Sequence, residues 1–150
     1  MPDGDDVIEQ EIRVAAPPET VFPYFTDPER MRRWKGVDLK LDPHPGGIYR
    51  CDMDGRHVAR GEYVEVSPPH RVRFTWGWEG DEDNLVPPGA STVEVTLTAD
   101  GDGTIVRLVH SGLPTEAVEP HAGGWRHYLA RLQVAGAGGD PGPDPGPGPQ

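Results

Sequence analysis

Apolar and polar residues alternate with a period of two in seven runs along the chain. The alternating runs are residues 7–14, 37–41, 47–53, 57–66, 71–78, 92–98 and 104–110. A period of two is typical of strands that bury one face, because successive side chains point to opposite sides of a sheet. Strands that follow one another through short turns pair antiparallel. The pattern therefore predicts an antiparallel sheet of about six or seven strands.

Two short helices are predicted after the first strand. Residues 20–25 have apolar residues on one side, but Pro23 should shorten or kink this helix because it lacks an amide hydrogen. The next helix is predicted to begin at Pro28, after a cap by Thr26 or Asp27, and to end at Gly36.

A longer helix is predicted at the C-terminal end. Its apolar residues are spaced at i, i+3, i+4 and i+7, and they are Trp125, Tyr128, Leu129 and Leu132. Pro120 is expected to start this helix. Because no other predicted helix is long enough to cover the sheet, we expect an α+β fold. In it, a curved antiparallel sheet wraps around the C-terminal helix.

The alternation also predicts which side chains face the helix. The inward sets on the last three strands are Val72, Phe74, Trp76 and Trp78; Val93, Val95 and Leu97; and Val106, Leu108 and His110. The opposite choice for the last strand would bury Arg107 without a partner, which is costly.

The hairpin around Asp54-Gly55 allows two loop lengths. A two-residue loop pairs Cys51 with Val58, whereas a three-residue loop pairs Cys51 with His57 and places Gly55 at a left-handed position. The second choice is preferred because it keeps Arg60 outside. It predicts an inward set of Tyr49, Cys51, His57, Ala59, Gly61 and Tyr63.

Composition limits the size of the folded unit. The chain has 150 residues, which suits one domain. Residues 136–150 contain almost only Gly, Pro and Asp, and residues 1–6 are acidic, so both ends are expected to be disordered. The domain is therefore predicted to span residues 7–135.

The net charge of −11 argues against nucleic acid as a partner, since phosphate binding requires a basic face. Nine acids and no base lie in residues 1–6, 79–84 and 136–150, so setting these segments aside leaves about −2 for the framework. The acidic loop at residues 79–84 is expected to be solvated.

No apolar run is long enough to span a membrane, so membrane insertion is not predicted. The single cysteine and the lack of an apolar leader favour the cytoplasm.

Five segments resemble a known superfamily, and together they cover residues 8–134. The segments are IEQEIRVAAPPETVFPYFTDPERMRRW, GGIYRCDMDG, RGEYVEVSPPHRVRFTWGW, STVEVTLTADGDGTIVRLVHSGLP and GWRHYLARL. Their order and spacing resemble the SRPBCC (START-like, helix-grip) superfamily, and within it the homologues of the activator of the Hsp90 ATPase. The resemblance implies a helix-grip fold with a cavity between sheet and helix, and hydrophobic-ligand binding. Pro23 departs from the family pattern.

The candidate binding site combines the predicted inner face with positions that the resemblance implies. The candidate ligand-binding residues are Trp34, Tyr49, Cys51, His57, Tyr63, Phe74, Trp76, Trp78, Val95, His110, Trp125, Tyr128 and Leu129. Flat rings with polar tips suit a pocket that orients a ligand, but the same rings could simply fill a core.

His110 is the best candidate for acid–base chemistry, with Tyr49, Tyr63 or His57 as partner. The alternative is a buried structural histidine. The six histidines lack metal-ligand spacing and no nucleophile elbow occurs, so neither a metal nor another cofactor is predicted. Cys51 is interpreted as a buried apolar residue.

Three functions remain open at this point. The favoured one is binding of a small hydrophobic or aromatic ligand without catalysis. The second is an enzyme resembling polyketide cyclases or dehydratases, with His110 as acid or base. The third is a co-chaperone-like interaction module, which the polar outward residues of the sheet disfavour.

Overall fold

The computed structural model describes residues 7–80 and 86–142. The helices are α1 (Pro18–Val21), α2 (Pro28–Met31) and α3 (Thr115–Gly136), and a 3₁₀ turn covers Phe22–Phe25. The strands are β1 (Ile8–Val14), β2 (Asp38–Leu41), β3 (Ile48–Asp52), β4 (Val58–Ser67), β5 (Arg71–Trp76), β6 (Ser91–Asp100) and β7 (Gly103–Ser111).

The seven strands form one curved antiparallel sheet in the order β1-β7-β6-β5-β4-β3-β2. Consecutive strands are neighbours from β2 to β7, and β1 joins the far edge beside β7. Helix α3 returns across the sheet and packs most extensively on β1. The predicted α+β helix-grip fold is therefore confirmed.

The inward faces of the last three strands are as predicted. Every member of these sets within the strands is less than 4% exposed, from Val72 on β5 to His110 on β7. Trp78 lies beyond the end of β5 and is half-buried. Arg107 points outward and pairs with Glu9 at 2.6 Å, so the cost of burying its charge is avoided.

Both predicted loop lengths for the β3–β4 hairpin are wrong. Cys51 pairs with Ala59 and Tyr49 with Gly61, so the loop is longer and spans residues 53–57. The carboxylates of Asp52 and Asp54 accept hydrogen bonds from loop amides, and these bonds stabilise the extra residues. Because the register differs from the preferred prediction by two residues, the strand faces remain as predicted.

His57 is the one residue whose predicted direction changes with this loop. It lies at the end of the loop rather than inside β4, and 68% of its side chain is exposed. Its Nδ1 lies 2.8 Å from the Asp54 carboxylate. The prediction that His57 faces the interior is therefore wrong.

The helix boundaries differ from the predictions at three points. Pro23 lies in the 3₁₀ turn, which replaces the second half of the first predicted helix. Helix α2 ends at Met31, and the chain reaches Gly36 through turns. Helix α3 begins at Thr115 and contains Pro120, whose missing amide removes only one hydrogen bond near the N-terminal end.

The C-terminal segment adds a contact beyond the helix. Gly136 still belongs to α3, and the Arg131 guanidinium donates to the carbonyl oxygens of Pro141 and Gly142 at 3.5 and 3.0 Å. The predicted disorder of residues 1–6 and of 143–150 concerns positions outside the described residues. The same applies to most of the acidic loop, although Glu79 is described and pairs with Arg50 at 3.0 Å.

Candidate functional site

Six aromatic rings meet between the sheet and α3, and we call this cluster the aromatic interior. Its members are Tyr49, Tyr63, Phe74, Trp76, Trp78 and Trp125. Tyr49 stacks on Phe74 with ring centroids 4.1 Å apart. The Trp76 ring lies 5.3 Å from Trp78 and 5.2 Å from Trp125, so Trp76 joins the sheet to the helix. Such contacts favour a tightly packed cluster.

A lysine side chain enters this cluster. Lys35 is only 2% exposed, and its Nζ donates a hydrogen bond to the Tyr49 hydroxyl. Four ring centroids surround this nitrogen, at 4.9 Å for Trp76, 5.0 Å for Trp125, 5.1 Å for Tyr49 and 5.4 Å for Trp34. The ring faces attract the ammonium group and partly replace its lost hydration.

The local backbone explains why Lys35 points inward. The amides of Trp34 and Lys35 both bond to the Met31 carbonyl, at 3.0 and 2.8 Å, so residues 31, 34 and 35 share one side of a helical turn. Gly36 then reverses the chain with a φ of +89°, a conformation that favours glycine. A Cβ at that position would lie 2.7 Å from the Cys51 Sγ.

The charge of Lys35 has no carboxylate partner among the described residues. Burial therefore lowers the pKa of Lys35 to about 8, since desolvation penalises the charged form. Burial likewise raises the pKa of Tyr49 and that of Cys51. The Cys51 thiol, which contacts the Met53 sulfur at 3.3 Å, is therefore not an activated nucleophile.

His110 belongs to a hydrogen-bond chain with a defined direction. The indole N–H of Trp125 donates to His110 Nδ1 at 3.0 Å. This bond assigns the ring proton to Nε2, which donates to the Ser91 hydroxyl at 2.8 Å. Ser91 in turn donates to the Trp76 carbonyl at 2.8 Å. Every polar atom of the His110 ring is therefore satisfied in its neutral form.

The electrostatic surroundings also keep His110 neutral. Burial, together with His121 and Lys35, lowers the pKa of His110 to about 3. His121 is held in the same way, because its Nδ1 donates to the Ala117 carbonyl and its Nε2 accepts from Trp78 at 2.9 Å. Burial lowers the pKa of His121 as well. Neither the His110 ring nor the His121 ring therefore has a nitrogen that is free to take up or release a proton.

Trp76 differs from the other three tryptophans. Trp34, Trp78 and Trp125 donate their indole N–H groups to Tyr24, His121 and His110 respectively. The indole nitrogen of Trp76 is buried and has no hydrogen-bond partner among the described residues. A buried unpaired donor costs about 1–3 kcal/mol, so this indole N–H reduces the stability of the free protein.

Most of the predicted site residues lie in one region of the interior. The buried ones are Trp34, Tyr49, Cys51, Tyr63, Phe74, Trp76, Val95, His110, Trp125, Tyr128 and Leu129. Trp78 is half-buried at the edge of the cluster, and His57 lies outside it. Whether these residues bind a ligand stays a prediction.

The sequence analysis missed Lys35, His121 and Ser91. A usable signal existed for Lys35, because Met31, Trp34 and Lys35 follow helical spacing with two apolar members. That signal conflicts with the general rule that lysines stay exposed. Within the described part of the chain, no three potential metal ligands group together.

The surface at the β1 edge contains an open depression of about 660 Å³. It runs between residues 7–12 and one side of α3, where Ala122, Arg126 and Ala130 border it. Gln10 spans part of it and donates to the Ala122 carbonyl at 2.9 Å. This depression lies at the β1 edge, and its lining includes the predicted site residue Leu129 but none of the six rings of the aromatic interior.

The sheet wrapped around α3 and the buried aromatic cluster define the helix-grip class of α+β domains. The sequence profile of the Activator of Hsp90 ATPase homolog 1-like proteins matches residues 15–136. The chain therefore belongs to this family. A comparison with curated proteins gave no match.

Three solved structures illustrate the relationship. An AHSA1-like protein from Rhizobium etli is 47% identical, covers 93% of this chain and 86% of its own, and superposes with a TM-score of 0.72. CalU16 from Micromonospora echinospora is 30% identical, with coverages of 88% and 76% and a TM-score of 0.70. DynU16, from the dynemicin biosynthetic locus, is 29% identical with a TM-score of 0.78. The match covers 93% of this chain but only 49% of DynU16.

Proposed function

We propose that this protein binds a small hydrophobic or aromatic molecule in the aromatic interior between the sheet and α3. The observation that supports this most directly is the buried, unpaired indole N–H of Trp76 at the centre of that cluster. Ligand sites combine apolar walls with a few polar groups that fix orientation, and this region has both. DynU16 lies in a biosynthetic locus, which also favours a small-molecule ligand.

The packing sets a condition on such binding. The rings of Trp76, Trp78 and Trp125 contact one another, so a ligand must separate them or take the place of one. Binding should therefore change the environment of several tryptophans at once. All four tryptophans of the chain lie in or beside this interior, and their fluorescence is a direct readout.

The test is a panel of neutral aromatic and aliphatic compounds of graded size, followed by tryptophan fluorescence and thermal unfolding. A ligand at one hundred times its Kd should stabilise the domain by about 2.7 kcal/mol and raise Tm by roughly 5–10 °C. A saturable change in both signals by the same compound is expected. A panel without any such compound would contradict the proposal.

Two variants locate the bound molecule. Trp76→Phe alters the interior and should weaken binding, whereas Ala130→Glu adds a charge at the exposed depression beside β1 and should leave binding unchanged. The reverse result would move the ligand to the depression and overturn the proposed location. Thermal unfolding of each free variant controls for changes in stability.

The enzyme alternative receives no support from the His110 geometry. Both ring nitrogens of His110 are engaged, and a pKa of about 3 keeps the ring neutral at physiological pH. A general acid must hold a proton near the working pH, which His110 cannot do there. We therefore keep binding without His110 catalysis as the first proposal.

The co-chaperone alternative is also less well supported. The family is named for an Hsp90 activator, but the outer face of the sheet is polar and crossed by ion pairs. Arg71 contacts Glu94 and Arg73 contacts Glu65, each at 3.5 Å. Such a surface offers little apolar area to a partner. Pull-down of an Hsp90 homologue by this chain would reverse the order of the two proposals.

The location is a separate matter. No helix in the described residues is long and apolar enough to cross a membrane. We keep the cytoplasm as the proposed location, since Cys51 is a free and buried thiol.

A further inference from the structure

Lys35 is a buried cation whose surroundings provide rings and one hydroxyl group but no anion. The ammonium has three donors, and the described residues supply one acceptor, the Tyr49 oxygen. A buried charge is costly unless it is paired and hydrogen-bonded. The site around Lys35 is therefore short of one negatively charged acceptor.

The other titratable groups of this interior do not supply that charge. They are Tyr49 and Cys51 on β3, Tyr63 on β4, His110 on β7 and His121 on α3. Burial favours the neutral form of each of them. Tyr63 already donates its hydroxyl proton to the Phe25 carbonyl at 2.9 Å. A missing anion must therefore come from outside this set.

The unpaired donor of Trp76 lies in the same cluster. Its ring is the one nearest to the Lys35 ammonium, at 4.9 Å, and its indole nitrogen lacks an acceptor among the described residues. One buried cation and one buried neutral donor, both short of acceptors, therefore lie together in the aromatic interior. The ammonium lies over the Trp76 ring, whereas the indole N–H points along the ring plane, so the two oxygens of a carboxylate can accept from both.

We propose that the ligand of this protein is an aromatic or planar hydrophobic acid whose carboxylate pairs with Lys35 through one oxygen and accepts a hydrogen bond from Trp76 through the other. This inference rests on the proposed function, because it places the ligand in the aromatic interior and adds its chemical class. Lys35 then acts as a ligand-binding residue, and the surrounding rings hold the body of the ligand.

The test compares two probes of nearly equal shape, 2-naphthoate and 2-naphthamide, by tryptophan fluorescence and calorimetry. The naphthoate should bind at least about tenfold more tightly, since a charge-assisted hydrogen bond is stronger than a neutral one. Lys35→Met should reduce this preference to less than about twofold. The chain has one other lysine, the exposed Lys40, and Lys40→Met is the matched control that should keep the preference.

A second measurement needs no variant. With only two lysines, ¹³C-labelled lysine gives two signals whose titration can be followed by NMR. Lys35 should titrate near pH 8 in the free protein, and naphthoate should raise its pKa because an adjacent anion favours the ammonium. Naphthoate affinity should stay constant below pH 8 and fall above it, as the free lysine loses its proton.

The outcomes separate the two proposals. Binding of both probes with equal affinity, or an unchanged preference in Lys35→Met, would overturn the assignment of an acidic ligand and leave aromatic binding in place. Failure of both probes to bind would count against both proposals for ligands of this size. A naphthoate-bound protein whose Lys35 signal does not move would also overturn the role of Lys35.

Discussion

The buried polar groups around His110 and those around Lys35 differ in how far their hydrogen bonds are satisfied. Around His110, each donor meets an acceptor along the chain from Trp125 through His110 and Ser91 to the Trp76 carbonyl. Around Lys35, the donors outnumber the acceptors, and the indole nitrogen of Trp76 has no partner among the described residues. Both regions are buried, and the same Trp76 residue contributes to each.

The buried polar groups thus fall into two kinds, those with a complete set of hydrogen bonds and those that lack an acceptor. A satisfied network fixes side-chain positions and gains nothing from a further partner. An unsatisfied donor reduces the stability of the free protein and is compensated when an acceptor arrives. His110, the candidate for acid–base chemistry in the sequence, therefore belongs to the fully hydrogen-bonded group. Lys35, which the sequence analysis missed, belongs to the group that lacks an acceptor.

The largest expected effect is the loss of stability at acid pH that the buried His110 causes. The folded pKa of about 3 lies below the ordinary value of 6.5, so the unfolded state binds more protons between these values. The free energy of unfolding should therefore fall by about 5 kcal/mol on this account as pH decreases from 6.5 to 3. Urea unfolding at several pH values measures this loss.

His110→Gln isolates that contribution from those of the carboxylates. Glutamine can accept from Trp125 and donate to Ser91 but does not titrate. The variant should lose less stability than the wild type over the same pH range. His44→Gln is the control, since 78% of the His44 side chain is exposed. Equal pH slopes in wild type and His110→Gln would contradict the structural role.

The next effect concerns Lys35 and has the same sign, since stability again rises with pH, but at alkaline pH. Its folded pKa of about 8 lies below 10.5, so the unfolded state holds more protons between pH 8 and 10.5. The cost of the buried charge is fully present below pH 8, and stability should recover by about 3 kcal/mol as pH rises to 10.5. Comparing the wild type with Lys35→Met by urea unfolding removes the contributions of Cys51 and the tyrosines. Lys40→Met should keep the wild-type slope.

A double variant measures how far Lys35 and Tyr49 depend on each other. Lys35→Met removes the buried charge but leaves the Tyr49 hydroxyl buried without its partner. Adding Tyr49→Phe should recover about 1–2 kcal/mol relative to the single variant at pH 7. Tyr49→Phe alone should destabilise the protein, because the ammonium loses its acceptor. A strictly additive double-mutant cycle would show that the two groups do not interact.

The smallest effect tests the direction of the His110 chain. In Trp125→Phe, Nδ1 of His110 loses the donor that stabilises its neutral form. The pKa of His110 should then rise by about one unit, which is the worth of one hydrogen bond. NMR titration of the imidazole signals measures this shift. A pKa that stays at about 3 would mean that burial alone determines the protonation state.

Much of the fold could be predicted from the sequence because it depends on periodicity. The inward faces of β5, β6 and β7 follow from alternation, and the buried side of α3 follows from the spacing of Trp125, Tyr128, Leu129 and Leu132. On β7, where both faces carry apolar residues, the cost of burying the Arg107 charge decided which face points inward. Most aromatic members of the candidate site were found in the same way.

Predictions from local sequence were less accurate where side chains accept hydrogen bonds from the backbone. The hairpin loop is longer than either prediction because the carboxylates of Asp52 and Asp54 accept hydrogen bonds from its amides. As a result, His57 lies outside the interior. Helix α3 extends past Pro120 toward Thr115 because packing outweighs the loss of one hydrogen bond.

By itself, the sequence determined the strand faces, the buried side of the long helix and the aromatic character of the interior. Each of these follows from a period of two or 3.6 residues combined with the cost of exposing apolar surface. The tertiary structure decided which buried polar atoms have partners. That outcome depends on distances between residues far apart in the chain, such as Lys35 and Trp125 or Ser91 and His110. No local pattern encodes those distances, because they arise only when β6 pairs with β7 and α3 packs over the sheet.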